Sequence, residues 1–139
     1  MTKPTVKFKR LSGRQPVIVQ ILPALVRGGV ERGTVEMAQA IQAAGGHAVV
    51  ISNGGPLVRH IERCGGKHIA LPVHAKNPLR WPGLRRQLKT IFQAENADIV
   101  HVRSRVPAWL ALTLAKSMSI ATISTVHSRF TARSFLKRR

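Results

Sequence analysis

The sequence predicts a doubly wound α/β domain with a parallel sheet. Short apolar runs of buried-strand type alternate with stretches of helical periodicity, strands recur about every 30 residues, and glycine or proline marks most junctions. Parallel strands joined in this way need right-handed crossovers that carry a helix, so both faces of the sheet are covered. Ligands of such sheets bind beyond the carboxyl ends of the strands.

The first strand is predicted over residues 17–22, and it is followed by Pro23 and by the pair Gly28 and Gly29. The next helix is predicted from an apolar stripe at helical spacing that stops at residues 45–46, both glycine. The stripe consists of Val30, Val35, Met37, Ala38, Ile41 and Ala44. A helix that opens directly after glycines presents unpaired N–H groups and its positive dipole end. We therefore expect a phosphate near Gly28 and Gly29, with an ordinary strand-to-helix connection as the alternative.

The remaining elements alternate in the same way along the chain. Pro56 suits the first position of a helix, and residues 65–66, again two glycines, suit its end. The predicted elements are a strand at 48–52, a helix at 56–64, a strand at 68–73, a helix marked by Leu84, Leu88, Ile91 and Phe92, a strand at 98–102, a helix at 107–117 and a strand at 120–126.

Length and composition favour one globular domain that does not span a membrane. The 139 residues are 44% hydrophobic, which is enough for one buried core. A single cysteine, Cys64, excludes an internal disulfide and fits a reducing cytosol. The apolar run at 16–26 is interrupted by Gln20 and lacks a small-x-small cleavage site, so we do not interpret it as a signal peptide.

The charge is strongly unbalanced and concentrated at the two ends. Lys and Arg number 23 against five Asp and Glu, for a net charge of +18, and residues 1–14 and 129–139 contain basic but no acidic side chains. Residues 1–14 are expected to form a disordered basic arm, with the domain proper at 15–139. Such ends favour a polyanionic surface, either nucleic acid or anionic lipid.

Two histidines and two arginines are candidate site residues. His101 and His127 each lie at or just beyond the carboxyl end of a predicted strand, where imidazole can act as acid, base or hydrogen-bond partner. Arg103 and Arg105 follow His101 and could clamp a phosphate or carboxylate, or simply be solvated in a surface loop. No Cys/His spacing favours a metal site.

The third predicted helix has an apolar face and a basic flank. Trp81 and the apolar stripe are accompanied by basic side chains at Arg80, Arg85, Arg86 and Lys89. This arrangement is typical of a core-facing helix with a solvated side. It is also compatible with contact to an anionic membrane surface.

Five ordered segments together resemble the N-terminal domain of family 4 glycosyltransferases of the GT-B type, particularly bacterial enzymes that build lipopolysaccharide and other surface glycans. The segments are ILPALVRGGVERGTVEMAQAI, VVISNGGPLV, LPVHAKNP, DIVHVRSRVPAW and STVHS, and the resemblance covers about residues 17–139. It implies a Rossmann-like domain that forms the N-terminal half of a GT-B fold. It also implies a cytoplasmic enzyme that can bind peripherally to the inner face of the membrane.

The resemblance further implies hexosyl transfer, with retention and without a metal or other cofactor, from a nucleotide sugar to a surface-glycan or lipopolysaccharide acceptor. It assigns Gly28 and Gly29 to the donor phosphates and His127 to catalysis near the transferred sugar. It assigns His101, Arg103 and Arg105 to the acceptor side of the cleft.

The resemblance also implies a second, donor-binding α/β domain, which the 139 residues do not include. We expect the first domain itself to be incomplete at its C-terminal end, as in a truncated gene product, a pseudogene fragment or an incomplete gene model. The chain alone is then an acceptor-side domain without activity. The alternative from another class is a small basic nucleic-acid-binding module, against which stand an aromatic content of 4%, the lack of tyrosine and the lack of a recognisable binding motif.

Overall fold

The structure, a computed structural model, describes residues 14–26, 28–74, 77–103 and 105–125. Within these residues, strands and helices alternate along the chain. In order they are β1 (Val17–Ile21), α1 (Gly29–Ala43), β2 (His47–Ser52), α2 (Val58–Arg63), β3 (Lys67–Ala70), α3 (Trp81–Ala94), β4 (Ile99–Val102), α4 (Arg105–Ser117) and β5 (Ala121–Ser124), with one turn of 3-10 helix at Pro78–Arg80 leading into α3.

The strands form one sheet in the order β3-β2-β1-β4-β5, and every neighbouring pair is parallel. The chain runs outward from β1 to β3, returns to the other side of β1 at β4, and continues outward to β5. The predicted doubly wound α/β fold is confirmed. Because the order reverses between β1 and β4, the carboxyl ends of these two strands flank the crevice in which such folds bind ligands.

Helices cover both faces of the sheet, which explains the continuous apolar runs of the central strands. On one face, α3 and α4 pack on β1, β2 and β4, and the core there includes Ile21, Leu88 and the fully buried Phe92. On the other face, α1 and α2 enclose a second cluster that contains Leu25, Val50 and Ile61. The central strand β1 is therefore fixed from both sides.

Some predicted boundaries differ from the observed ones. The third strand was expected to reach residue 73 but ends at Ala70: Leu71 still donates to the carbonyl oxygen of Ser52, at 2.9 Å, and Pro72 then has no N–H to continue the ladder. The expected end of the fifth strand at residue 126 lies outside the described residues, and so does all but Arg14 of the basic arm.

Main-chain hydrogen bonds join the loop after β1 to the turn after β2. Leu25 donates to the carbonyl oxygen of Gly54 at 2.9 Å and accepts from the N–H of Leu57 at 3.1 Å, while Asn53 donates to the carbonyl oxygen of Pro23 at 2.9 Å. The segment that leads to α1 is thus held by backbone atoms of its neighbour in the sheet.

Substitution of Gly55 is expected to disrupt this attachment. Gly55 has a φ of +143°, and a Cβ atom there would lie 2.3 Å from the carbonyl oxygen of Leu25. We expect Gly55→Ala to lower the free energy of unfolding by about 2 kcal/mol or more, since backbone strain and a clash with main chain combine. Urea denaturation measures this change.

Gly83→Ala is the matched control. Gly83 lies in the first turn of α3, and a Cβ atom there would have nothing within 4 Å. Alanine should stabilise that helix by about 0.5–1 kcal/mol. Equal unfolding free energies for Gly55→Ala and the unsubstituted protein would contradict the role given to Gly55.

Candidate functional site

The start of α1 is open and has no side-chain cap. Gly28 is the N-cap residue in extended conformation, and no side chain in the described residues caps the helix. Among the same residues nothing would lie within 4 Å of a Cβ atom on Gly29, so they leave the space beside the first helical residue open. The first N–H groups and the positive end of the helix dipole are therefore available to an anion.

The carboxylate of Glu31 lies over Gly28. A Cβ atom on Gly28 would lie 2.2 Å from Oε2 of Glu31, so this carboxylate occupies the space that a larger residue would need. A negative charge in the first turn is favoured by the dipole. Glu31 thus stabilises one side of the helix start, and Gly29 leaves the other side open.

Arg103 approaches the same helix from the end of β4. It is the first residue after the strand, and its N–H continues the ladder to the carbonyl oxygen of Ile21 at 3.0 Å. Its side chain is 9% exposed, and Nη1 lies 3.5 Å from the position that a Cβ atom on Gly33 would take. Burial lowers the pKa of the Arg103 guanidinium from its ordinary value, but an arginine remains charged at neutral pH.

Gln20 joins Arg103 to α1 beneath the crevice. This fully buried side chain accepts a hydrogen bond from Nε of Arg103 at 2.9 Å and donates from Nε2 to the carbonyl oxygen of Thr34 at 3.2 Å. Gln20 is not among the site residues predicted from the sequence. The available signal was one amide side chain inside the apolar run VIVQIL, because such a residue needs buried partners.

The other candidate residues are distributed unevenly. His101 pairs in register with Gln20, so the two side chains share the α1 face of the sheet, and Nε2 of His101 lies 3.1 Å from Oγ1 of Thr125. Arg105 is the first residue of α4, and its side chain lies outside the described part of the structure. His127 also lies outside it. The structure therefore places Gly28 and Gly29 at the start of α1 and Arg103 against Gly33 of the same helix, with His101 in β4, two residues before Arg103.

A second polar pair supports the turn after β2. Oγ of Ser52 lies 2.7 Å from Nε2 of His68 and accepts the N–H of Gly54 at 3.0 Å. Burial lowers the pKa of the His68 imidazole, and the Glu62 carboxylate opposes that shift. The hydrogen bond between the serine hydroxyl and the imidazole, and the turn held by the same hydroxyl, indicate a structural pair.

Two exposed apolar side chains and one half-buried tryptophan lie near the starts of α3 and α4. Trp81 and Trp109 contact each other with ring centroids 5.3 Å apart, and Trp109 is 58% exposed. Leu79, in the turn before α3, is 88% exposed. We call Leu79, Trp81 and Trp109 the aromatic tip. Each of these helices follows a strand, so the tip lies towards the carboxyl edge of the sheet, on the face opposite α1.

Two further properties hold for the described part of the chain. No three His, Cys, Asp or Glu side chains there are grouped so that they could hold a metal ion. No helix in the same residues combines the length and the hydropathy needed to cross a bilayer.

The fold and its crevice are those of a Rossmann-like domain that binds ligands at the carboxyl ends of its strands. The sequence model of Glycosyltransferase Family 4 matches residues 27–139, which is most of the chain. The protein belongs to this family, as the resemblance predicted. No curated protein matches the sequence significantly.

One solved structure agrees with the family match, and two others, each under 25% identical, share the fold alone. A glycosyltransferase from Rickettsia africae is 36% identical, with a TM-score of 0.75, over 88% of this chain and 33% of that one. The glycotransferase of kitacinnamycin is 16% identical, with a TM-score of 0.59, over 90% and 34%. The C-terminal domain of the PF1911 hydrogenase from Pyrococcus furiosus, 18% identical with a TM-score of 0.59 over 89% and 96%, shares the fold alone.

The chain therefore spans about a third of the Rickettsia africae enzyme. The match to that enzyme corresponds to one α/β domain of a GT-B glycosyltransferase.

Proposed function

We propose that this domain provides the acceptor side of a glycosyltransferase that moves a hexosyl unit from a nucleotide sugar to a lipopolysaccharide or surface-glycan acceptor. The observation that carries the proposal is the uncapped glycine start of α1 at the point where the strand order reverses. A nucleotide sugar has a diphosphate, and phosphate is the group that an open helix start of this kind favours.

The proposed roles follow the resemblance residue by residue. Gly28 and Gly29 lie near the donor phosphates, and His127 acts near the transferred sugar. His101, Arg103 and Arg105 lie toward the acceptor. The chain needs a second domain to hold the donor, so we propose that it is inactive alone. No metal or cofactor is assigned to the reaction.

A chimera tests this function. The matching third of the Rickettsia africae glycosyltransferase would be replaced by residues 15–139 of this chain, and a panel of nucleotide sugars would be assayed under conditions in which the Rickettsia enzyme is active. We expect the chimera to consume at least one donor. A chimera that unfolds cooperatively but consumes none would count against the proposal.

We also propose that the protein is cytoplasmic and contacts the inner face of an anionic membrane. The basic N-terminal arm and α3 would make the contact. Exposed basic side chains on or next to α3 lie beside the aromatic tip, and tryptophan favours the interface between headgroups and acyl chains. The basic side chains are Arg80, Arg85, Arg86 and Lys89.

Replacement of Arg85 and Arg86 by Gln should weaken binding to vesicles of anionic phospholipid by about 30-fold, since each basic residue near such a surface contributes about 1 kcal/mol. Salt should weaken binding of the unsubstituted protein as well. Co-sedimentation measures both effects. The control with the same loss of charge is Arg59→Gln with Arg63→Gln, two exposed positions on α2, on the other face of the sheet. Equal sedimentation with anionic and neutral vesicles would exclude this mode of contact.

A further inference from the structure

We infer that Arg103 supplies the cationic group of an anion site at the start of α1, and that Gln20 holds its guanidinium in position. The inference rests on the proposed function, because the anion in question is the phosphate portion of the donor. The resemblance assigns Arg103 to the acceptor side of the cleft. Its contacts favour α1 instead.

The position of the Arg103 guanidinium supports the anion site. Gly29 and Gly33 are one helical turn apart and lie next to each other on the same flank of α1. Nη1 of Arg103 lies 3.5 Å from the position that a Cβ atom on Gly33 would take, and the described part of the chain leaves the space beside Gly29 open. A phosphate that accepts the first N–H groups of α1 on the Gly29 side therefore has a guanidinium within one turn of it.

Arg103 has no carboxylate counter-charge among the described residues. Arg103 is nine-tenths buried, yet none of the ion pairs among the described residues includes it; they join Arg14 to Asp98 and both His47 and Lys67 to Glu95. A cation that is largely removed from water and has no carboxylate partner favours an anionic ligand, and a bound phosphate would provide one. The site therefore combines a helix start with a buried charge that has no carboxylate partner in the described residues.

One edge of the Arg103 guanidinium remains available to a ligand. Nε is used by Gln20, and in the described residues neither Nη atom has a hydrogen-bond partner. Every buried side-chain nitrogen or oxygen in the same residues does have one, so the Nη atoms are not sealed in the core. The Nη edge can bind two phosphate oxygens at once, which a lysine ammonium cannot do with the same geometry.

Gln20 acts as a positioning residue. Its amide oxygen binds Arg103 and its amide nitrogen binds Thr34 of α1, so both ends are fixed and the amide cannot turn without losing a buried hydrogen bond. This arrangement orients the guanidinium relative to the helix. Glu31 acts in the opposite sense, because its carboxylate lies over Gly28 and repels a second anion.

Titration of the 139-residue chain with inorganic pyrophosphate, followed by ¹H–¹⁵N NMR at low salt, tests the inference. We expect saturable shifts of the Gly29 and Gly33 amide signals. Arg103→Met should weaken the affinity about tenfold or more, and Glu31→Gln should strengthen it. Arg63→Met, which removes an exposed charge on α2, is the control and should leave the affinity within about twofold.

Two further variants keep the test decisive. If Arg103→Met does not fold, Arg103→Lys keeps the charge without the planar fork and should still bind several-fold more weakly. Gln20→Met should lower the affinity of the folded molecules, whereas a merely structural glutamine would lower the melting temperature and leave that affinity unchanged.

The outcomes separate the inference from the proposed function. If the unsubstituted chain shifts Gly29 and the foldable Arg103 variant binds pyrophosphate equally well, the role of Arg103 is overturned and the phosphate site at α1 stands. If pyrophosphate does not shift Gly29 at all, the inference and the phosphate role of Gly28 and Gly29 are both overturned. Neither result depends on sugar transfer, which the chimera measures separately.

Discussion

The purified 139-residue chain is expected to transfer no sugar above a buffer control. In the proposed mechanism the donor is held by a second domain and the acceptor by this one, and reaction needs both in attack geometry. Holding reactants in that geometry supplies about 7–11 kcal/mol of the barrier in favourable cases, and this contribution is lost when one half of the cleft is missing. The measurement is donor consumption and product formation with a panel of nucleotide sugars.

The chimera with the Rickettsia africae enzyme is the positive control for that assay, and denatured chain is the negative one. An NMR spectrum with the dispersed signals of a folded protein has to accompany the result. It shows that the isolated chain is folded and that the lack of transfer is not caused by unfolding. Transfer by the isolated chain, at any donor in the panel, would refute the proposal that it is inactive alone.

His127→Ala in the chimera is expected to lower kcat by about 10²-fold or more with the melting temperature almost unchanged. The resemblance assigns this imidazole a position near the transferred sugar, where it can hydrogen-bond the sugar or stabilise charge as the donor bond breaks. If His127 only helped to bind the substrate, its loss would mainly raise KM, whereas loss of the proposed role should lower kcat.

His74→Ala is the matched control, because His74 is an exposed histidine in the loop after β3. It should change neither kcat nor the melting temperature appreciably. A His127→Ala chimera with normal kcat and a lowered melting temperature would identify His127 as a structural residue and remove it from the proposed site.

Most of the fold could be predicted because local pattern and global arrangement agree. Glycine pairs end two helices, and Pro56 lies just before the second helix. Continuous apolar runs indicate strands covered on both faces. The predicted third strand ends three residues too late, because Leu71 and Val73 are buried in the core and the pattern cannot separate burial from strand pairing.

The candidate site was predictable only in part. Gly29 could be assigned to a helix start and Arg103 to a strand end from local sequence alone. The hydrogen bond between Gln20 and Arg103 joins residues 83 positions apart, and it exists because β4 returns to the side of β1. Sequence order alone does not show that Nε is occupied and the Nη edge open, since this depends on side-chain packing against Gly33 of α1.

The attachment of the loop after β1 has a consequence for how this protein family can diversify. Leu22, Leu25, Asn53 and Leu57 make their contacts between the two loops through main-chain atoms, so the hydrogen bonds do not depend on which side chains these positions carry. Apart from the glycines that the backbone requires, residues facing the ligand can change while the start of α1 stays in place. We therefore expect substitutions to cost little stability at Ala24 and Val26, whose side chains are not buried, and these are the first positions to randomise in a directed-evolution library for new substrate preferences; Leu22 and Leu25 are buried in the core.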